Sequence, residues 1–348
     1  MKRFSIHFVL LILLVSIAGC SNPYSNNVKK NSNVSAAANQ NESTGEAINL
    51  TWASGSLGGG WYSMAGGLSS MIQEKSSNIN IRVIPGGSLQ NIPFIAKGTA
   101  QLAFEQPAFI TAGKNGEDPF DKKYSDLLAV GNGFGLNYFH FAIDPSIGVE
   151  SIDEIFEKKL PINIAVTPVN NTDEWVLRKF LEYYGVTYED IESWGGKIFH
   201  GSYTEQAQQF KDGNVDVMFT QLALPGSAIT EASNGRDLKI LPMSDDLIEY
   251  LSQYGIEKGV IPANTYPEVI NGDEDIQMAA MGTLLVASNK VPEDVVYNIT
   301  KTINESQDRL KSIHSALNGF SSEKAIEGLG TDLHPGAEKY YKEIDVIK

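Results

Sequence analysis

One cysteine in 348 residues leaves no partner for an internal disulfide and too few thiolates for a zinc cluster or an iron–sulfur site. Positive charge is also short. Against 42 Asp and Glu there are 27 Lys and Arg, a formal charge of −15, which argues against a broad basic surface for nucleic acid or an anionic membrane. The sequence has no Gly-x-Ser-x-Gly elbow, no His-Glu-x-x-His and no Gly-Lys-Ser/Thr after a glycine loop. The apolar run from Phe8 to Ala18 falls short of the roughly 20 residues a membrane-spanning helix needs. What is present, 42% hydrophobic residues with 32 Gly, is enough for one large or two ordinary domains with a full core.

The amino end has its own logic. Met1-Lys2-Arg3, the short apolar run and small residues before a break describe an export signal over 1–19. Ile17-Ala18-Gly19-Cys20 matches the bacterial lipobox, which makes Cys20 the lipidated first residue of the mature chain; the alternative is a buried free cysteine on a core helix. Residues 20–47 form the anchor and a flexible linker. Seven Asn and five Ser among the 27 positions from Ser21 to Ala47 bury too little surface to offset their ordering entropy. The expected location is extracytoplasmic, on the bacterial cell membrane through the lipid on Cys20.

Beyond the linker, strand and helix periods alternate. Ile48, Leu50 and Trp52 have strand spacing; Trp61, Met64, Ala65, Leu68, Met71 and Ile72 have helical spacing. Ile79 to Val83 predicts a strand, Ser88 to Lys97 a helix that Pro93 should delay or kink, and Leu102 to Phe104 another strand. Ser151-Ile-Asp-Glu154 has the pattern of a capping box. Further strands are predicted at Ile162–Val166, Val215–Phe219, Leu238–Leu241 and Met281–Ala287, a helix at Trp175–Tyr184, and one long helix from Pro292 through Ile313. The succession predicts an α/β protein with parallel sheets and right-handed crossovers.

Gly98-Thr-Ala-Gln-Leu-Ala-Phe-Glu-Gln106 is echoed 115 residues later by Gly213-Asn-Val-Asp-Val-Met-Phe-Thr-Gln221. Each places a glutamine at the carboxyl end of a buried strand, where ligands of open α/β sheets bind; such units also recur by chance. Ser54–Gly60 and Gly86-Gly87-Ser88 each lie between strand and helix, where backbone N–H groups can meet an anion, although tight turns use the same residues. A Ser202–His200 pair can be drawn, but a lone histidine beside a serine is more often a packed residue. Asp273-Glu274-Asp275 lacks the ordered spacing of a calcium loop. No metal and no cofactor are expected.

Several of these runs resemble the TAXI-type solute receptors of TRAP transporters. They are Ala53–Tyr62, Gly86–Asn91, Gly98–Gln106, Gly185–Ile191, Asp212–Asp216, Ile261–Pro267 and Leu333–Tyr341, covering about residues 48–348. The resemblance implies a two-lobed periplasmic-binding-protein fold of the second type, with a hinge and an interlobe cleft that closes on a solute. Lobe 1 would comprise 48–142 and 280–348, and lobe 2 143–279. It implies delivery to membrane TRAP permease subunits driven by an ion gradient, and ligands such as glutamate, 2-oxoglutarate and other small dicarboxylates. A monomer without catalytic residues is expected; an orphan sensor feeding a signalling protein, a surface hydrolase and an adhesive domain are the alternatives.

Carried over by position, the lobe 1 site is Ser54, Gly55, Leu57, Gly58, Trp61, Tyr62, Gly87, Ser88, Asn91 and Gln106. In lobe 2, Asn170, Asn171, Thr172, Thr220 and Gln221 offer neutral polar contacts. That lobe departs from the family pattern at three places that bear on the ligand's charge. Pro168-Val-Asn-Asn-Thr172 replaces a glycine-rich turn, Asp144 stands where a basic residue is common, and Thr220–Leu224 replaces a smaller loop.

Overall fold

The computed structural model describes residues 47–348; the export segment, Cys20 and the linker up to residue 46 lie outside the described residues. From residue 48 the chain alternates β1 (Ile48–Ala53), α1 (Gly60–Lys75), β2 (Ile79–Ile84), α2 (Ser88–Lys97), β3 (Leu102–Glu105), α3 (Pro107–Asn115) and β4 (Leu127–Gly131). A second series follows: β5 (Leu136–Ile143), α4 (Ile152–Glu157), β6 (Asn163–Val166), α5 (Thr172–Tyr183), α6 (Tyr188–Ser193), β7 (Lys197–His200), α7 (Tyr203–Lys211) and β8 (Val217–Leu222). It continues through α8 (Ser227–Ser233), β9 (Lys239–Ile240), α9 (Asp245–Ser252), β10 (Glu257–Ile261) and β11 (Ile276–Gly282). The chain then returns to the first unit with β12 (Leu284–Ser288), α10 (Glu293–Glu305), α11 (Gln307–Ile313) and α12 (Pro335–Glu343).

Two sheets result, one ordered β2-β1-β3-β12-β4, the other β10-β11-β5-β8-β6-β7 with β9 beside β5. Both are mixed, which corrects the expectation of parallel sheets. β12 runs against β3 and β4, and β5 runs against β8. The cause is connectivity. The parallel strands end on the side where the chain changes sheets, so each crossing strand enters its new sheet from that side, without a helical crossover. The crossings lie at 132–135 and at Thr283, where Phe134 N donates to Thr283 O (3.1 Å) and Thr283 N to Gly135 O (3.0 Å).

These crossings move the lobe boundary. Residues 136–142 and 280–282, assigned to lobe 1 on sequence, belong to strands of the second sheet. Their side chains pack there: Phe141 stacks on Phe180 at 5.6 Å and Phe139 on Phe219 at 5.9 Å. The apolar run Met281–Ala287, expected as one strand, is likewise two strands on two sheets. The expected long helix breaks at Ser306 (φ −114°, ψ 32°), and Pro292 is its cap rather than its first residue. Asn304 and Ser306 stand at the break, with side chains that compete for backbone groups; Asn304 Nδ2 donates to Thr300 O at 2.8 Å. Pro93, by contrast, leaves α2 unbroken from Ser88 to Lys97. At α4 only Ser151 caps, accepting from Glu154 N; reciprocal boxes form instead at Thr187/Asp190 and Ser202/Glu205.

Strand alternation divides the first sheet between two apolar clusters. Trp52 and Phe104 face the cluster under α1, α10 and α12, whereas Ala53 and Ala103 face the other, which continues into the second lobe. The stripe of α1 predicted from its period is buried throughout. Among the described residues no helix is long and apolar enough to cross a membrane.

Candidate functional site

Apart from the start of β5, the segments around the crossings are carboxyl ends of parallel strands or starts of the following helices, so polar backbone and short side chains collect there. Between the lobes they line a small cavity of about 30 Å³. Of the residues expected from sequence, Gly55, Trp61, Gly87, Asn171, Thr172 and Gln221 line this cavity. Ser56, Gly59, Gly60 and Gly86 of the two glycine turns line it too, as do Asn137, Asp173 and Tyr203, which were not anticipated.

The other expected residues stand behind or beside the wall. Ser54 is buried and donates to Ile84 O (2.9 Å), tying the first glycine turn to β2. Asn91 braces both turns: its Nδ2 donates to Ser54 O (2.8 Å) and Phe104 O (3.0 Å), and its Oδ1 accepts from Gly87 N (3.2 Å). Ser88 donates to Gln106 Oε1 at 3.5 Å, both residues being buried. Leu57 is exposed, Tyr62 half-buried and Asn170 exposed at φ +74°. Gly58 O accepts from Ser227 Oγ (2.6 Å), and Thr220 is buried below the floor.

Three N–H groups of the glycine turns are already used inside the protein. Gly59 N donates to Ser56 O, Gly86 N to Gly55 O and Gly87 N to Asn91, so these three do not serve an anion as the sequence suggested. The repeated glutamines behave alike. Gln106 Nε2 and Gln221 Nε2 are both buried with no hydrogen-bond partner among the described residues, a costly state for an amide donor unless something else accepts from it.

Asp173 dominates the electrostatics. Its Oδ2 accepts from Tyr203 Oη (2.7 Å) and Gln221 N (2.8 Å), while burial raises its pKa to about 7. Burial and the neighbouring Asp173 hold the Tyr203 phenol well above its usual range. Glu105, fully buried beside Gln106, is also raised well above an ordinary carboxyl by burial. Asp144, expected to bear on ligand charge, does not: it follows the end of β5 remote from the cavity, pairs with Arg236 and caps the turn at Ser146 N (2.8 Å). The Ser–His pair does not form either. His200 Nδ1 meets Thr167 O (3.0 Å), and Ser202 Oγ donates to Glu205 (2.8 Å) in its capping box.

Contacts across the cleft join the lobes. Ser315 Oγ donates to Leu224 O (2.7 Å), Phe109 meets Trp175 edge-on at 5.3 Å, and Lys179 pairs with Asp118 at 3.2 Å. At the crossing, buried Thr283 Oγ1 accepts from Trp61 Nε1 of lobe 1 (2.9 Å) and Asn137 Nδ2 of lobe 2. Thr283→Val keeps the shape and strands both donors. It is expected to cost about 1–3 kcal/mol, read as a lower midpoint in denaturant at unchanged slope.

Residues 52–344 match the NMT1-like family. MatC from Rhodopseudomonas palustris, solved with bound malate, is similar at a TM-score of 0.51 and 13% identity, over 86% of this chain and 99% of that one. PhnD1 from Prochlorococcus marinus, in complex with methylphosphonate, is similar at 0.50 and 11% identity, over 87% and 99%. At such identities the likeness is one of fold, two α/β lobes about a cleft as in periplasmic binding proteins of the second type. The matched stretch holds every cavity-lining residue and both sheets except the first four residues of β1, and the chain belongs to the NMT1-like family.

Proposed function

We propose that this protein is a lipid-anchored extracytoplasmic receptor that captures a small carboxylate-bearing solute and passes it to an ion-gradient-driven TRAP permease. The observation that carries this is the interlobe cavity itself. It is lined from both lobes by backbone, short polar side chains and one acid, Asp173, and the Gln221 amide N–H groups have no acceptor among the described residues. Ser202 and His200, the pair a hydrolase would need, are committed to a helix cap and a backbone carbonyl, which favours binding without turnover. The TAXI resemblance of the sequence supports the TRAP partner, and the lipobox supports the anchor at Cys20.

Thermal unfolding of the chain from Ser21 onward, against amino acids, dicarboxylates and neutral analogues, tests the receptor. A solute at 100 times its Kd is expected to add about 2.7 kcal/mol of stability, a shift of several degrees. No shift with any solute after stripping by refolding would overturn this function. For the anchor, Cys20→Ala is expected to release the protein from the membrane fraction; retention there would refute lipidation at Cys20.

A further inference from the structure

The cavity says more about charge than the receptor function, on which this rests, requires. No Lys, Arg or His lines it among the described residues, and Asp173 and Tyr203 are its titratable groups. Outside the lining, His314 Nε2 lies 3.2 Å from where a Cβ on Gly60 would stand, and burial lowers its pKa, so it is neutral at pH 7. The positive end of α5 is no substitute for a cation, because Asp173 and Glu174 already occupy its first turn. Both named bonds to Asp173 end on Oδ2, in a residue that faces the cavity. Opposite in character, the unpartnered Gln221 Nε2 is a neutral donor in a residue 8% exposed.

We infer that the solute brings a cationic nitrogen to Asp173 and no more than one carboxylate, so that neutral zwitterions such as α-amino acids with uncharged side chains are taken and dicarboxylates are refused. A carboxylate meets the Gln221 amide and neighbouring hydroxyls. A second one would be desolvated beside an acid with no countercharge, which a low-dielectric cleft penalises heavily. The formal charge of −15 acts in the same sense, since it repels dianions at a distance and leaves zwitterions unaffected. A cation also explains how a carboxyl that burial pushes up to about 7 can ionise on binding.

Calorimetry on the chain from Ser21 onward, with alanine, glutamine, 4-carbamoylbutanoate (glutamine without its ammonium), malate and 2-oxoglutarate, decides the matter. A neutral amino acid is expected to bind at least about tenfold more tightly than either dicarboxylate, and removal of the ammonium is expected to cost glutamine at least about tenfold. In Asp173→Asn the gap between glutamine and 4-carbamoylbutanoate is expected to close. Equal weakening of the two would show Asp173 to be merely structural and overturn the inference. Preference for malate or 2-oxoglutarate would also overturn it while leaving the receptor function standing. Absence of binding across this panel and the wider thermal one would overturn the receptor function itself.

Discussion

Gly59→Ala is expected to weaken solute binding by about 5- to 150-fold while leaving the fold intact. A Cβ at this position would stand 2.9 Å from both Cδ2 and Cε2 of Tyr203, closer than real contacts allow. The ring cannot swing away cheaply, because its hydroxyl is held by Asp173 Oδ2 and by Gln221 O (2.8 Å). Gly59 has φ −99°, which alanine adopts without strain, so the larger part of the penalty falls on the approach of the lobes, with a lesser contact at 3.1 Å to Ser56 O inside the turn. Overpacking of this kind costs about 1–3 kcal/mol, which is the stated range in affinity. Opening the cleft relieves the clash, so melting without solute should change little. Gly66→Ala in α1 is the control. Nothing lies within 4 Å of its added methyl, and a helix-interior glycine replaced by alanine should stabilise by about 0.5–1 kcal/mol. If Gly59→Ala bound solute as tightly as the parent, the lobes would not close in this arrangement.

A pH-dependent loss of stability is expected from Asp173, and Asp173→Asn should remove it. Burial raises this carboxyl from 3.8 to about 7, so between those values the folded chain holds a proton that the unfolded chain has released. The associated stability is fully present below about pH 4 and is lost as pH rises through 7. At about 1.4 kcal/mol per pKa unit the loss amounts to about 4 kcal/mol. Buried His140 acts in the opposite sense: with its pKa lowered from 6.5 to about 4, it makes stability rise with pH over that window. The readout is therefore the difference between parent and variant. Asparagine can accept the Tyr203 and Gln221 bonds on its amide oxygen at any pH. Its melting temperature should gain on the parent by several degrees between pH 5 and pH 8. Glu105→Gln should behave in the same sense, since burial raises that group too. Parallel melting curves across the range would show that Asp173 ionises as easily in the fold as out of it.

Much of the site was legible, though for reasons that differ from residue to residue. The two glycine turns and Gln221 stood out because composition and an internal echo mark the ends of strands, and ends of strands are where the cleft lies. Asp173 did not stand out. An acid in the first turn of a helix is ordinary, and only the approach of Tyr203 from another helix makes it a buried cavity group. Tyr203 was masked by its neighbours His200 and Ser202, which suggested chemistry; the Ser202–Glu205 capping box, read as a helix start, would have placed Tyr203 at the amino end of α7. Asn137 was missed because β5 itself was assigned to the wrong lobe.

By itself the sequence determined the alternation of strand and helix, the buried stripe of α1 and the positions of the turns, since each follows from spacing within a dozen residues. Which sheet β5 and β11 join was decided only by tertiary structure. An apolar strand is equally content in either core, and its side-chain period carries no address. The character of the cavity was decided there as well. Burial turns an ordinary aspartate into a group near neutrality, and the meeting of two lobes turns a run of glycines into room for a tyrosine ring.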